Sequence, residues 1–283
     1  MRQLLAFFLL VLFVASCNSV EEIVEESIAE EIPSHILDGE PMDVGPPPRI
    51  QEGAVSREVY SESREDTVIV NMTYEFYSTQ FSSNIMDSTF KNSVNKLIQE
   101  EVVIETQSEW EGTVDFLTPH FFESRMDSFV NVAQSEVDEF GSNPWGLELE
   151  IQIKNFDSYV EVSSTGWSYT GGAHGNMHTS YWLVNKEDGR LLDVVDFFSD
   201  IEKLEEIMLP YFRKQNEIPQ DQTLEEYGYW VEGDDLQVNS NFFFENGKVV
   251  FYYDVYEIAP YAGGPSEVYI PLNQLTGIYN GKK

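Results

Sequence analysis

The chain has 283 residues, of which 50 are acidic and 16 basic, for a formal charge of −34 at pH 7. Such a field repels phosphate backbones, which excludes nucleic acid as a partner, and attracts cationic partners in a strongly salt-dependent way. Solubility in a salty habitat would account for the same charge, and the single cysteine excludes any internal disulfide.

The chain opens with Met1-Arg2 and an apolar run from Leu4 to Phe13, followed by Val14-Ala15-Ser16-Cys17. A dozen or so apolar residues fall short of the ~20 that a permanent membrane helix needs, so the run is expected to be a cleaved export signal. Val-Ala-Ser-Cys resembles the bacterial lipobox, which implies a signal peptide over residues 1–16 and lipid attached at Cys17. A lone free thiol would be out of place in an oxidising compartment, and several acyl chains make a durable anchor. The expected protein is exported and membrane-anchored by lipid, in the bacterial outer membrane, facing either the periplasm or the cell surface. Residues 17–66 carry Glu21, Glu22, Glu25, Glu26, Glu30, Glu31 and Pro46-Pro47-Pro48 with few large apolar side chains. They are expected to form a disordered acidic tether, because so little apolar surface does not offset chain entropy.

Thr67–Thr79 mixes β-branched and aromatic residues and predicts a strand. Phe90, Val94, Leu97, Ile98 and Val102 then share one helical face. Thr118-Pro119 reads as an N-cap with proline at the first helical position, and Phe122, Met126, Phe129, Val130, Ala133 and Val137 form a second apolar stripe. Leu147, Leu149, Ile151 and Ile153 alternate with polar residues, and Tyr159, Val160 and Val162 follow an Asn155–Asp157 turn, which predicts an antiparallel hairpin. Ser180–Val184 is a further strand, and Asn185–Gly189 is a turn lacking the ligand spacing of a calcium loop. After Leu191–Phe198, Ser199 and Glu202 suggest a capping box for a helix that buries Leu204, Ile207, Met208 and Tyr211. Strands at Asn241–Phe244, Val249–Ile258 and Glu267–Leu272 close the chain, the first two joined through Asn246-Gly247. Strands and helices come in blocks, which predicts an α+β fold of antiparallel sheets with helices packed on one face. Two adjoining modules are expected, over residues 67–180 and 181–283.

Tyr169–Trp182 holds His174 and His178 four residues apart. On a helix that spacing would suit a zinc protease, but Gly171, Gly172 and Gly175 make it a turn between strands. A third ligand would have to come from Asp193, Asp196 or Glu267, and there is no His-Glu-x-x-His, so neither a metal nor another cofactor is expected. Gly166–Thr170 approaches a hydrolase nucleophile elbow but ends in threonine where glycine is needed. Paired glycosidase carboxylates do not stand out among the 50 acidic residues, so no catalytic residue is assigned. Trp167, Trp182, Tyr227, Tyr229 and Trp230 are the aromatic candidates for stacking on a sugar or anchoring a protein.

Tyr169–Asn176 (YTGGAHGN), Asn185–Phe198 (NKEDGRLLDVVDFF) and Phe251–Leu272 (FYYDVYEIAPYAGGPSEVYIPL) together resemble the RsiV-like extracytoplasmic family. Its paired domains of unknown function occur in a lysozyme-sensing anti-sigma factor and, for the N-terminal module, in the peptidoglycan deacetylase PdaC. The resemblance implies two α+β binding modules outside the cytoplasm and does not imply catalysis in them. It marks Gly171, Gly172, Ala173, His174, Tyr256, Pro260, Tyr261 and Gly264 as family positions, expected to be structural. The expected function is a lipid-anchored module that captures a cationic protein such as a lysozyme-like hydrolase. The alternative is a protein that binds or processes peptidoglycan or another glycan.

Overall fold

The structure is a computed structural model that describes residues 50–61, 66–77, 85–108, 117–140 and 145–281. The export signal, Cys17 and the tether up to residue 49 lie outside the described residues.

Six strands form one sheet in chain order: β1 (Ile50–Ser61), β2 (Asp66–Tyr77), β3 (Gly146–Asn155), β4 (Tyr159–Tyr169), β5 (Asn176–Asn185) and β6 (Leu191–Leu192). Every neighbouring pair is antiparallel except β2 and β3, which run parallel. The reason lies in the connection. Two helices, α1 (Ile85–Glu105) and α2 (Pro119–Phe140), join β2 to β3 and return the chain to the end of the sheet from which β2 started.

Both helices present the stripes read from the sequence. Phe90, Val94, Ile98 and Val102 of α1, with Phe122, Met126, Phe129 and Ala133 of α2, are buried with Val70, Met72, Leu147, Leu149, Ile151, Val160, Val162 and Val184 of the sheet. Alternate residues of the strands therefore face the helices, as a two-residue period requires. The other face carries Asn71, Thr73, Glu148, Glu150, Thr165, Trp167, Met177 and Thr179.

Residues 50–61, placed in the tether by composition, form a full strand that pairs with β2 over twelve residues. The strand is at the sheet edge, where Val55 is buried and Ile50 and Val59 are partly covered. Arg57 adds an ion pair 2.8 Å from Asp127 of α2. An edge strand draws its stability from its neighbour's ladder, so its own sequence can be polar.

The second half contains α3 (Val194–Phe197), α4 (Ile201–Gln215), α5 (Leu224–Tyr227) and an antiparallel three-stranded sheet of β7 (Phe242–Glu245), β8 (Lys248–Tyr253) and β9 (Ser266–Pro271). Leu204, Met208 and Phe212 of α4 are buried against Phe242, Val249, Phe251, Val268 and Ile270 in a second core. The cap of α4 is Asp200, one residue beyond the expected Ser199, and its carboxylate accepts a hydrogen bond from Lys203 N at 2.9 Å. After two strand residues, Leu191–Leu192, the chain turns into α3. The cause is a capping box in which Asp193 and Asp196 satisfy each other's backbone N–H groups.

The second core also takes in Tyr159, Leu183 and Leu192 from the six-stranded sheet. Asn241 bonds to the edge of β5 through both ends of its amide, accepting from Tyr181 N at 2.9 Å and donating to Thr179 O at 2.7 Å. Asp254 accepts from Thr179 N at 3.0 Å. Two side chains thus continue the ladder where strand pairing stops. Glu40–Lys283 accordingly forms one compact unit with two cores, and the expected module boundary at 180/181 falls inside β5.

Candidate functional site

The turn between β4 and β5 departs from extended backbone at Gly171 and Gly172, whose φ values are +100° and +101°. Side chains with a Cβ rarely adopt that region, so the two glycines are what let the turn form. The Tyr169 hydroxyl donates to Gly172 O at 2.9 Å and fixes the turn, and Ala173 and His174 project from it, exposed. The His174 ring stacks on Tyr261 with centroids 3.8 Å apart and planes 16° apart. Its Nε2 lies 3.1 Å from the Tyr256 hydroxyl and its Nδ1 2.8 Å from Gly175 O. Tyr256 in turn stacks with Trp230, centroids 6.3 Å apart, and Trp230 N donates to Ile258 O at 2.7 Å.

The glycine turn and the Tyr256–Gly264 segment, about eighty residues apart in sequence, therefore meet in one aromatic cluster. Trp230 is 54% exposed and Tyr256 50% exposed, unusual values for large aromatic side chains. Tyr256 also holds a left-handed backbone, φ +67°, which costs a non-glycine residue on the order of 1 kcal/mol or more. Pro260 precedes the short 3-10 turn Tyr261–Gly263 that carries the stacked tyrosine, and Gly264 leaves it with φ +71°.

His178 points the other way. Its β5 position faces the helices, where its Nε2 lies 3.2 Å from Glu101 and 3.6 Å from Glu105, one turn apart on α1. A Cβ on Gly166 of β4 would fall 2.1 Å from His178 Cε1, so glycine there makes room for the ring. Burial alone would lower the pKa of His178. The hydrogen bond to Glu101 and the fields of Glu105, Glu101 and Asp254 outweigh it, and the pKa stands above the ordinary histidine value. Burial raises the pKa of Glu105, with His178 opposing and Glu101 reinforcing. Asp254 is also raised by burial, against the hydrogen bond from Thr179 N.

On the face away from the helices, β2 to β5 form a concavity of about 310 Å³. Trp167 and Met177, each 39% exposed, meet there with Asn71, Thr73, Glu148 and Glu150. The Trp167 indole packs against the β4–β5 turn, where a Cβ on Gly175 would fall 2.4 Å from its Nε1.

The two histidines thus serve separate environments. Asp193 and Asp196 are taken up by the α3 cap, Asp196 also by Arg190 at 2.6 Å, and Glu267 accepts the Tyr269 hydroxyl. Among the aromatic candidates, Trp230, Tyr227 and Trp167 are exposed, whereas Trp182 packs against the first core and Tyr229 against the second. Sequence reading missed Glu101 and Glu105. Their signal was a helix whose polar residues are not confined to one face, since Lys91, Asn95, Gln99 and Glu101 are all buried.

Residues 195–273, from α3 to β9, match a family described as "Protein of unknown function (DUF3298)". No curated protein sequence matches the chain. A DUF3298 family member from Bacteroides fragilis has a similar structure, with a TM-score of 0.62 and 19% identity over 82% of this chain and 93% of that one. A DUF3298 family protein from Pseudomonas aeruginosa PAO1 gives 0.53 and 16% over 82% and 95%. At these identities the likeness is one of fold. Tyr256, Pro260, Tyr261 and Gly264 fall inside the matched segment, and Gly171, Gly172, Ala173 and His174 before it.

Proposed function

We propose that the chain is a non-catalytic binding module, held at the bacterial envelope by lipid on Cys17, that captures a cationic protein such as a lysozyme-like hydrolase. The observation behind this is the cluster of exposed His174, Tyr256 and Trp230 around half-buried Tyr261 on a chain of charge −34. Aromatic side chains that are exposed yet held by stacking and hydrogen bonds lose little entropy on binding, which is how interface anchors work. The strained backbone of Tyr256 points the same way, because such strain persists where surrounding structure imposes it for a use. Long-range attraction would then raise the capture rate for a basic partner.

The test is binding of lysozyme and of purified wall fragments to the full chain in detergent. Protein capture should weaken steeply between 0.1 M and 1 M salt, as the screening length falls from about 10 Å to about 3 Å. Trp230→Ala should cost roughly tenfold or more in affinity, as anchor residues do. Tyr256→Gly separates the site from the fold: it relieves the positive φ, so stability should stay within about 1 kcal/mol while binding falls. Loss of fatty-acid labelling in Cys17→Ala checks the anchor independently. Equal lysozyme binding by the wild type and both aromatic variants would refute the assignment of the site.

The concavity around Trp167 supports a second reading, a glycan site in which a sugar ring stacks on the indole while Asn71, Thr73, Glu148 and Glu150 bond its hydroxyls. Wall-fragment binding that ignores salt and is lost in Trp167→Ala would favour it.

A further inference from the structure

We propose that Glu101, Glu105 and His178 bind one divalent transition-metal ion of the Zn²⁺ class, clamping α1 to β5. Glutamates one turn apart on a helix present both carboxylates to one side, and β5 places His178 opposite them. The three donor atoms all lie within 4.8 Å of one another. Zinc takes nitrogen and oxygen ligands at about 2.0–2.2 Å in tetrahedral array, which sets ligand atoms roughly 3.3–3.6 Å apart. The separations from Nε2 to the two carboxylates, 3.2 Å and 3.6 Å, are close to that spacing.

Charge favours a cation as well. The only ion pairs of Glu101 and Glu105 among the described residues are with His178, and Asp254 adds a third carboxylate to its surroundings. One imidazole, even protonated, leaves negative charge in excess. The side chains expose only 10%, 14% and 19% for Glu101, Glu105 and His178, so that excess is poorly screened by solvent. A divalent ion would balance it. Gly166 contributes by admitting the imidazole, and the ring is held between sheet and helix before any ion arrives. The donor set also discriminates. One nitrogen and two carboxylates suit zinc and its neighbours, whereas calcium calls for six to eight oxygens. Three protein donors leave a fourth position for water.

The test uses the full chain in detergent, stripped with chelator and titrated with Zn²⁺ by calorimetry, with Co²⁺ as a spectroscopic probe and Ca²⁺ as a control. We expect one equivalent of zinc, a melting temperature that climbs with zinc concentration, and visible bands of four-coordinate cobalt. Glu105→Gln and His178→Gln should each weaken zinc binding at least about tenfold, while Glu100→Gln, on the exposed side of α1, should not. Glu105→Gln is nearly isosteric, so circular dichroism should verify its fold and keep the test valid if His178→Gln unfolds. Failure to take up a stoichiometric ion, unchanged affinity in Glu105→Gln, or calcium binding as tightly as zinc would overturn the proposal.

Discussion

Glu161 illustrates what a single residue costs this fold. It lies on β4 with 1% of its side chain exposed, and its ion pair is with Lys154, 3.0 Å away and itself half-exposed. Burial raises its pKa, Lys154 opposes this by charge and hydrogen bond, and Glu245 adds to the rise. The folded state therefore holds the proton more tightly than the unfolded chain. That stabilisation is fully present below the ordinary value of 4.5 and is lost as pH climbs through the raised folded value. Glu161→Gln removes the buried charge and leaves Lys154 free to reach water, so stability at pH 7 should rise by about 1 kcal/mol. The decline in stability above pH 4.5 should also flatten, which urea melts at several pH values would detect. A variant less stable than the wild type at pH 7 would mean that the Lys154 pair outweighs desolvation. The sequence places Glu161 in a strand but does not reveal its burial. By simple alternation it is an outward residue, and only the packing of the second half over that face covers it.

Among the elements, those legible in advance combine periodicity with a local stop or start signal. The α2 stripe with its Thr118-Pro119 start, the β3–β4 hairpin and the β7–β8 turn at Asn246-Gly247 all have both, whereas α1 had its stripe alone. Elements whose stability comes from elsewhere were not legible. β1 depends on β2 for its ladder, and α3 on a cap made by aspartates inside an apolar run. The site divides in the same way. The glycine turn and the aromatic motif could each be read locally, but not their meeting through His174 and Tyr261, nor the approach of α1 to His178, because both are long-range contacts. The start of α4 gives a direct test at this scale, since Ser199 and Asp200 are both good capping residues and only one does the work. Asp200 accepts from Lys203 N, whereas the Ser199 hydroxyl is turned to Ile278 O at 3.2 Å. Asp200→Ala should therefore cost about 1 kcal/mol in chemical denaturation and Ser199→Ala clearly less. The reverse order would return the cap to Ser199.

For the whole molecule, the two cores bear on whether the halves are independent. Two adjoining modules would predict two unfolding transitions and a stable C-terminal half. The contacts argue otherwise: β5 crosses the 180/181 boundary, and Tyr159, Leu183 and Leu192 of the large sheet belong to the second core. Asn241 and Asp254 seal the β5 edge from the other half, and Tyr181 stacks on Phe243 with centroids 4.2 Å apart. A fragment of residues 181–283 would lose Tyr159 from the second core, uncover Leu183 and Leu192, and lose Thr179, the partner of Asp254 and of the Asn241 amide nitrogen, so it should not fold cooperatively. For Glu40–Lys283, the single compact unit, scanning calorimetry should give one transition whose calorimetric and van't Hoff enthalpies agree. Starting the chain at Asp66 instead removes β1, uncovers the whole edge of β2 and deletes the Arg57–Asp127 pair. That chain should melt well below the longer one and associate more readily through its open edge. Two resolved transitions for Glu40–Lys283, or equal melting temperatures for the chains starting at Glu40 and Asp66, would show that the halves fold independently or that β1 contributes little.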